Sequence, residues 1–213
     1  MALDASAENL PAGFVYLHEI DPTIKQNLEN ATENNLLGVV VDGYEGDQVI
    51  CTQETAVALA SVQKKLKARG FSLLILDAYR PSKAVEHIKR WAHDLDDQET
   101  KAQYYPDIDK EELLGTFLAA KRSSHSRGST VDVLIVDEKT KRPLDFGLMF
   151  FGEVSGTYSK NISKQQSANR LFLREVMVVH NFKPYDAEFW HFTYKDEPFP
   201  EIYFDFPIRN ADS

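Results

Sequence analysis

The sequence predicts an α+β fold in a single domain, with helices packed against a central sheet of mixed or antiparallel strands. Two apolar runs, at 71–79 and 131–136, are too hydrophobic for exposed edge strands and are typical of buried ones. Stretches with helical spacing of apolar residues lie around them. The 213-residue chain shows no repeat, low-complexity tract or linker, which favours one domain over 1–213, with residues 1–13 as a poorly ordered extension.

Residues 52–70 form the first predicted helix. Basic residues fill its last turns, where they suit the helix dipole, and Gly70 supplies the stop. The run FSLLILDAY follows directly, and its composition predicts a buried strand. The apolar residues that recur at helical spacing are Val57, Ala58, Val62 and Leu66.

A second helix is predicted over residues 82–93, with Pro81 at a suitable first helical position. Residues 94–112, which follow, are polar and rich in turn formers and predict an irregular connection. The predicted apolar face of the helix consists of Ala84, Val85, Ile88 and Trp91.

The second half of the chain begins with the strand-like run VDVLIV and continues in a predicted loop from about 137 to 162. Ser163 and Gln166 match a capping box ahead of a helix that extends through residue 181. The segment EFWHFTY is aromatic and β-prone. The periodic residues of the predicted helix are Leu171, Val176 and Val179.

Charge and cysteine content exclude several classes of protein. The 24 basic and 33 acidic residues give a net charge of −9, which argues against a nucleic-acid-binding surface. No run reaches ~18 apolar residues, so no membrane insertion is expected. Cys51 is the single cysteine, which excludes an internal disulfide or a thiolate-rich metal site, and its apolar neighbours predict a small buried side chain.

Asp132 lies within an apolar run, where an ionised carboxylate is costly unless a cation compensates it. A metal ion would provide that compensation. With His125 and His191 the carboxylate makes a set of two nitrogens and one oxygen, and three protein ligands with a fourth open position are typical of catalytic zinc. The His-x6-Asp spacing alone leaves this hypothesis and an ordinary structural role equally open.

Glu188 precedes His191 by three residues in the aromatic stretch. Residues three apart on a regular strand face opposite sides, so both can reach one site only if the backbone turns or bulges between them. Glu188 would then be a base that takes a proton from water, and otherwise it is a chance glutamate at a strand start. Arg80 lies just after a predicted strand, either paired with Asp77 or directed at negative charge on a substrate oxygen.

Several motifs occur in a fixed order along the chain. They are VDGY at 41–44, DAYRP at 77–81, SSHSRGSTVD at 123–132, EFWHF at 188–192 and DEPFPEIYFDFP at 196–207, with RW at 90–91 and YYPDID at 104–109. Together they resemble the D-alanyl-D-alanine dipeptidases of the VanX type, which belong to the LAS-type zinc peptidases of peptidase family M15, from about residue 14 to the end of the chain. The resemblance implies a LAS/hedgehog-like zinc peptidase fold, one Zn²⁺ per chain and a small peptide substrate.

The resemblance also implies a role for each matching residue. Glu188 matches the catalytic base, and Arg80 matches the arginine that stabilises the oxyanion. Ser123 and Ser124 match serines that help to hold the substrate carboxylate. The residues that match the zinc ligands are His125, Asp132 and His191.

The chain departs from the family at the subsite for the substrate's free amino group. Asn30 stands where the family has the tyrosine of a YAT motif. Phe151 stands where the family has an aspartate, by an ungapped count, and Glu153 would replace that aspartate if the loop shifted by two residues. We therefore expect zinc-peptidase chemistry with relaxed or altered dipeptide selectivity.

Two alternatives remain open at this point. One is a D,D-carboxypeptidase that acts on longer peptidoglycan stem peptides, which carry no ammonium group at this position. The other is a zinc-binding recognition module without catalysis, which would need neither Glu188 nor Arg80. The first 14 residues lack the basic and apolar segments of an export signal. The bacterial cytoplasm and the periplasm both remain possible locations, and the sequence does not predict an oligomeric state.

Overall fold

The computed structural model describes residues 10–116, 122–147, 151–152 and 154–211, and it confirms the α+β prediction. A five-stranded mixed sheet has the order β2-β4-β5-β7-β6, and a two-stranded antiparallel sheet pairs β1 with β3. In the larger sheet only the β2–β4 pair is parallel. The strands are β1 (Phe14–Tyr16), β2 (Lys25–Gln26), β3 (Ile50–Thr52), β4 (Phe71–Asp77), β5 (Thr130–Asp137), β6 (Phe182–Tyr185) and β7 (Glu188–Tyr194).

The described helices cover the sheet and its edges, and none of them is long and apolar enough to cross a membrane. Two short 3-10 turns, at Glu29–Ala31 and Ser124–Arg127, also contribute to the fold. The α-helices are α1 (Leu17–Ile20), α2 (Gln53–Lys67), α3 (Ser82–His93), α4 (Lys101–Tyr104), α5 (Lys110–Thr116) and α6 (Lys164–Val178).

The central strands form the core as their composition predicts. Leu73 and Ile75 of β4 and Val133 and Ile135 of β5 are fully buried. Cys51 is also buried, and burial raises the pKa of its thiol to about 12, which confirms its interpretation as a small apolar side chain.

Helix α3 begins and ends at the predicted residues, and its predicted apolar face is buried. Helix α2 stops before Gly70, which has a φ of +81° and so ends the helix in the left-handed region. The prediction that Val57 belongs to the apolar face of α2 is wrong, because Val57 is 52% exposed. It projects from the helix on the solvent side.

Helix α6 has both hydrogen bonds of the predicted capping box between Ser163 and Gln166. Leu171 and Val179, predicted on its apolar face, are exposed at 43% and 67%, so that part of the prediction is wrong. Val176 is buried as predicted, and Leu173 and Met177 are buried beside it, since the face that meets the sheet is rotated from the one expected.

The segment 94–112, predicted to be irregular, contains α4 and the start of α5. Lys110 explains why the pattern was missed. Its ammonium group is buried and donates to the carbonyl oxygens of Trp91 (3.1 Å) and Asp94 (2.8 Å) at the end of α3. The helix start is therefore fixed by a tertiary contact rather than by a periodic apolar face.

The predicted poorly ordered extension at 1–13 lies outside the described residues except for 10–13. In that described part, Leu10 packs against the core and the carbonyl oxygen of Gly13 accepts a hydrogen bond from the Gln53 amide at 2.9 Å. These residues are therefore joined to the start of α2.

Candidate metal centre

The pairing of β5 with β7 brings two of the candidate ligands together. Asp132 is directly opposite His191 in the antiparallel register, and Asp132 Oδ1 lies 3.2 Å from His191 Nδ1. His125 comes from the 3-10 turn just before β5, and its Nε2 lies 3.3 Å from Asp132 Oδ2. One ligand atom from each of the three residues lies within 4.8 Å of the others, so the cluster could hold a metal ion.

The hydrogen bonds around the cluster fit a bound cation. His125 Nδ1 donates to the Ala78 carbonyl oxygen at 2.8 Å, so a neutral ring presents the lone pair of Nε2 to Asp132. Two acceptor atoms would then face each other at 3.3 Å. Asp132 Oδ1 is buried and accepts no hydrogen bond from the described residues. A divalent cation between these atoms would satisfy both, and two imidazoles with one carboxylate suit zinc.

The charge of Asp132 is favoured by its surroundings. Burial by itself would raise its pKa, but the adjacent rings of His125 and His191, where they carry positive charge in the absence of a metal ion, outweigh burial and hold the pKa below the usual range. The second nitrogen of His191, Nε2, lies 3.4 Å from Ser124 Oγ. That contact orients the ring so that Nδ1 faces the cluster.

Glu188 lies beside the cluster because β7 bulges. Regular pairing after Pro184–Phe192 would put Tyr185 opposite His191, but Tyr185 pairs with Glu188 instead. The predicted irregularity is thus present, and Glu188 Oε2 comes within 3.4 Å of His191 Nδ1. Burial raises the pKa of Glu188 to about 7, against the lowering effect of His191.

Arg80 follows β4, whose register shifts between Ile75 and Asp77. Its Nε and Nη2 both bond Asp77 Oδ2, at 2.8 and 2.7 Å, which confirms the ion-pair interpretation. The same Nη2 lies 3.7 Å from Asp132 Oδ2, so the guanidinium group also borders the metal cluster. Burial opposes the charge of Arg80, but Asp77, Tyr44 and Asp132 together raise its pKa.

Asn30 belongs to a hydrogen-bond network around Asp77, the ion-pair partner of Arg80. Its Nδ2 donates to Asp77 Oδ2 and to Tyr44 Oη, both at 3.2 Å. Tyr44, from the VDGY motif, donates in turn to Asp77 Oδ1 at 2.7 Å. The amide of Asn30 is therefore engaged in fixing Asp77.

A cavity of about 460 Å³ opens over the cluster. Ser123, Ser124 and Phe151, all singled out from the sequence, line its wall together with Arg80 and Glu188. The ring of Phe151 meets Trp190 edge-on at 6.1 Å. Glu153 lies outside the described residues.

Glu29 was not identified from the sequence. Burial first, and then the negative charges of Asp132 and Asp77, raise the pKa of its carboxyl group to about 7. Glu29 therefore interacts electrostatically with the cluster. No described residue pairs with this carboxylate. A short 3-10 turn gives no periodic signal, and the position of Glu29 depends on the packing of β2 beside β4.

Trp190 and Arg122, which also line the cavity, were missed as site residues. Trp190 is adjacent to His191, and Arg122 is adjacent to Ser123. Their positions next to the proposed site residues were the one signal that could have identified them.

An α+β domain with a His-Asp-His cluster, a buried glutamate and a fixed arginine at one cavity is a protein of the metallohydrolase class. Comparison with protein families makes the assignment more specific. The chain belongs to the peptidase M15 family, whose model, described as D-ala-D-ala dipeptidase, matches residues 11–209. The resemblance drawn from the motifs is thereby confirmed.

Two relatives named D-alanyl-D-alanine dipeptidase agree with this assignment. The chain is 38% identical over 198 residues to a D-alanyl-D-alanine dipeptidase of Enterococcus faecalis, with 92% of this chain and 98% of the relative covered. It is 36% identical over 199 residues to the enzyme of the same description from Enterococcus faecium, with the same coverage. A zinc-bound vancomycin-resistance D,D-pentapeptidase matches with a TM-score of 0.42 and 15% identity, covering 71% of this chain and 76% of the other.

Proposed function

We propose that this protein hydrolyses D-Ala-D-Ala, or a related dipeptide of D-amino acids, with one zinc ion per chain. The observation that carries the proposal is the position of Glu188, a buried carboxyl group 3.4 Å from a candidate metal ligand and at the wall of the cavity. Its raised pKa suits a group that must both accept and release a proton near neutral pH. The family and the names of the relatives support the substrate class.

The ion would be held by His125, Asp132 and His191 and, when bound, would polarise the peptide carbonyl and lower the pKa of water toward ~7. Glu188 accepts the proton of the attacking water at its carboxylate and later returns it to the nitrogen of the leaving amine. Arg80 presents its guanidinium group to the carbonyl oxygen as negative charge develops there. Asp77 keeps Arg80 in place before substrate arrives, so little reorganisation is needed.

The two ends of the substrate have different proposed partners. Ser123 and Ser124 line the cavity and would help to hold the C-terminal carboxylate. At the amino end the apolar ring of Phe151 lines the cavity, and the Asn30 amide is already bonded to Asp77. We expect this end to bind the ammonium group weakly, so selectivity for a free dipeptide is relaxed.

Replacement of Glu188 by glutamine tests the mechanism. Because the amide cannot accept the proton, Glu188→Gln should lower kcat on D-Ala-D-Ala by roughly 10²- to 10⁴-fold. Zinc content by metal analysis should stay near one ion per chain, since Glu188 is not among the proposed ligands. The measurement is steady-state kinetics together with metal analysis of the same preparation.

Glu175→Gln is the matched control, because Glu175 is exposed on α6 and does not line the cavity. It should leave kcat unchanged. Full turnover by Glu188→Gln would remove the assignment of the base. A wild-type protein that binds zinc but cleaves no peptide would favour the non-catalytic recognition module.

The second candidate function is a D,D-carboxypeptidase, and the observation that favours it is Phe151 at the cavity wall. An acylated stem peptide carries no ammonium group there and would tolerate an apolar neighbour. Kinetics on D-Ala-D-Ala beside its N-acetyl derivative separate the two. Efficient cleavage of the free dipeptide alone would contradict both the carboxypeptidase and the relaxed selectivity.

A further inference from the structure

Three cations that the proposed mechanism does not use line the cavity. They are Lys89 of α3, Arg122 and Arg127. The carboxylates of Asp132 and Glu188 line the same cavity. The cavity therefore presents charges of both signs to a substrate.

Two of the three cations already form ion pairs with carboxylates of the protein. Arg127 makes two hydrogen bonds to Glu197, from Nε at 2.7 Å and from Nη2 at 3.0 Å. Lys89 donates to Glu86 at 2.8 Å along the same helix. Neither cation would bind a substrate carboxylate without weakening an existing ion pair.

Arg122 differs from these two. Its guanidinium carbon lies 4.7 Å from the centroid of the Tyr203 ring, and no carboxylate of the described residues pairs with it. Tyr203 is itself held, since its hydroxyl accepts a hydrogen bond from Arg127 at 3.4 Å. A guanidinium group above a ring face is attracted by the ring and keeps its N–H donors for a further partner. Arg122 is thus a cation at the cavity for which the described residues supply no carboxylate partner.

The sequence position of Arg122 places it next to the serines. Ser123 Oγ accepts a hydrogen bond from the His125 backbone amide at 3.3 Å. This bond fixes the turn between Arg122 and the candidate ligand His125. A guanidinium group recognises a carboxylate by paired hydrogen bonds, in a geometry that an ammonium group cannot reproduce.

We propose that Arg122 binds the free C-terminal carboxylate of the substrate and so sets the direction in which the peptide enters the cavity. This inference rests on the proposed function. The carboxylate end is attracted to Arg122, which directs the scissile carbonyl toward the metal cluster. Arg122 is a specificity residue, since it contacts the substrate away from the bond that breaks.

The test compares D-Ala-D-Ala with its C-terminal amide, which has no negative charge at that end. Arg122→Gln should raise KM for the free acid by roughly 10- to 100-fold, with kcat little changed. KM for the amide should stay the same, so the preference of the wild type for the acid disappears. Arg122→Lys should recover part of the effect, because it restores the charge without the paired geometry.

Arg142→Gln is the matched control, because Arg142 is an exposed arginine in the turn after β5. It should change KM for neither substrate. An equal rise in KM for acid and amide, or no rise for either, would overturn the inference, since the lost interaction would then not involve the carboxylate.

Binding of D-Ala-D-Ala to the zinc-loaded Glu188→Gln protein, measured by calorimetry, gives a second readout that does not depend on turnover. Adding Arg122→Gln should weaken that binding by the same factor. If the wild type cleaves D-Ala-D-Ala and this binding is unchanged, Arg122 is not the carboxylate partner and the proposed function stands. If the wild type neither binds nor cleaves the dipeptide, the proposed function fails, and this inference with it.

Discussion

Glu29 is a partly buried carboxyl group whose pKa is raised to about 7, first by burial and then by the charges of Asp132 and Asp77. A folded-state pKa above the unfolded value of 4.5 means that folding favours the protonated form. Its ionisation therefore destabilises the fold as pH rises from about 4.5 through 7. In metal-free protein, Glu29→Gln should raise the free energy of unfolding by about 1–3 kcal/mol at pH 8.

The measurement is urea unfolding of wild type and variant at pH 4.5 and pH 8, after removal of metal ions. At pH 4.5 the two proteins should differ little, because Glu29 is then protonated in the folded state and still about half protonated in the unfolded state. Glu33→Gln, at an exposed position four residues on, should show no such pH-dependent gain. Parallel pH profiles for wild type and Glu29→Gln would contradict the prediction.

Individual residues differed in how far the sequence could reveal them. Asp132 was identified because its apolar neighbours make a lone charge improbable. Glu188 required the further expectation of a bulge, which the pairing of Tyr185 with Glu188 confirms. Glu29 and Arg122 have ordinary polar neighbours in the sequence, and their significance comes from distant strands and rings that pack against them.

At the scale of elements, one buried arginine of helix α6 forms hydrogen bonds with the segment that follows β5. Arg170 Nε donates to the Phe146 carbonyl oxygen at 2.8 Å, and Nη1 donates to those of Val154 and Gly156 at 2.6 and 2.8 Å. The guanidinium group also lies 4.1 Å from the ring centroid of Phe189, next to Glu188. The arginine thus joins α6 to both flanks of Phe151.

Arg170→Met keeps an unbranched side chain but removes these hydrogen bonds and leaves three carbonyl oxygens without their donor. Unfolding free energy should fall by roughly 2–4 kcal/mol, as for other buried hydrogen-bond networks. KM should also rise, because Phe151 at the cavity wall loses its support. Thermal unfolding and steady-state kinetics on D-Ala-D-Ala measure the two effects.

Arg174→Met provides the control on the same helix, one turn further on. Among the described residues its guanidinium group makes only a 3.5 Å ion pair with the exposed Asp186 and a distant contact with the Tyr158 ring. Loss of such a surface pair costs ~0–1 kcal/mol. Comparable destabilisation by both substitutions would show that Arg170 contributes no more than a surface arginine.

The elements that the sequence predicted well are those with a local signal. The limits of α3 follow from Pro81 and an apolar face, and the start of α6 follows from the capping box. Helices α4 and α5 were missed because they are short and polar, and buried Lys110 ties the second of them to α3. The face of α6 was placed wrongly at Leu171 because helical spacing does not show which of two adjacent stripes meets the sheet.

At the scale of the whole molecule, the residues of the candidate metal centre come from the neighbouring central strands of the larger sheet and from the segments next to them. β5 supplies Asp132, β7 supplies His191, the turn before β5 supplies His125, and the end of β4 supplies Arg80. The motifs in the sequence indicated the family, but only the strand order β4-β5-β7 shows how residues more than 100 positions apart meet. A bound ion would therefore cross-link the central strands as well as serve the chemistry.

Removal of the metal should for that reason destabilise the entire domain. A ligand that binds only the folded state stabilises it by about 4 kcal/mol at 1,000 times its dissociation constant, which corresponds to roughly 10 °C in Tm for a chain of this size. We expect a chelator to lower Tm by about that amount, and added zinc to restore it. Asp132→Ala should abolish the response to zinc, whereas Asp107→Asn, at an exposed position, should respond as the wild type does. A wild-type Tm that is the same with chelator and with zinc would show that no ion at the cluster adds to the hydrogen bonds that already pair β5 with β7.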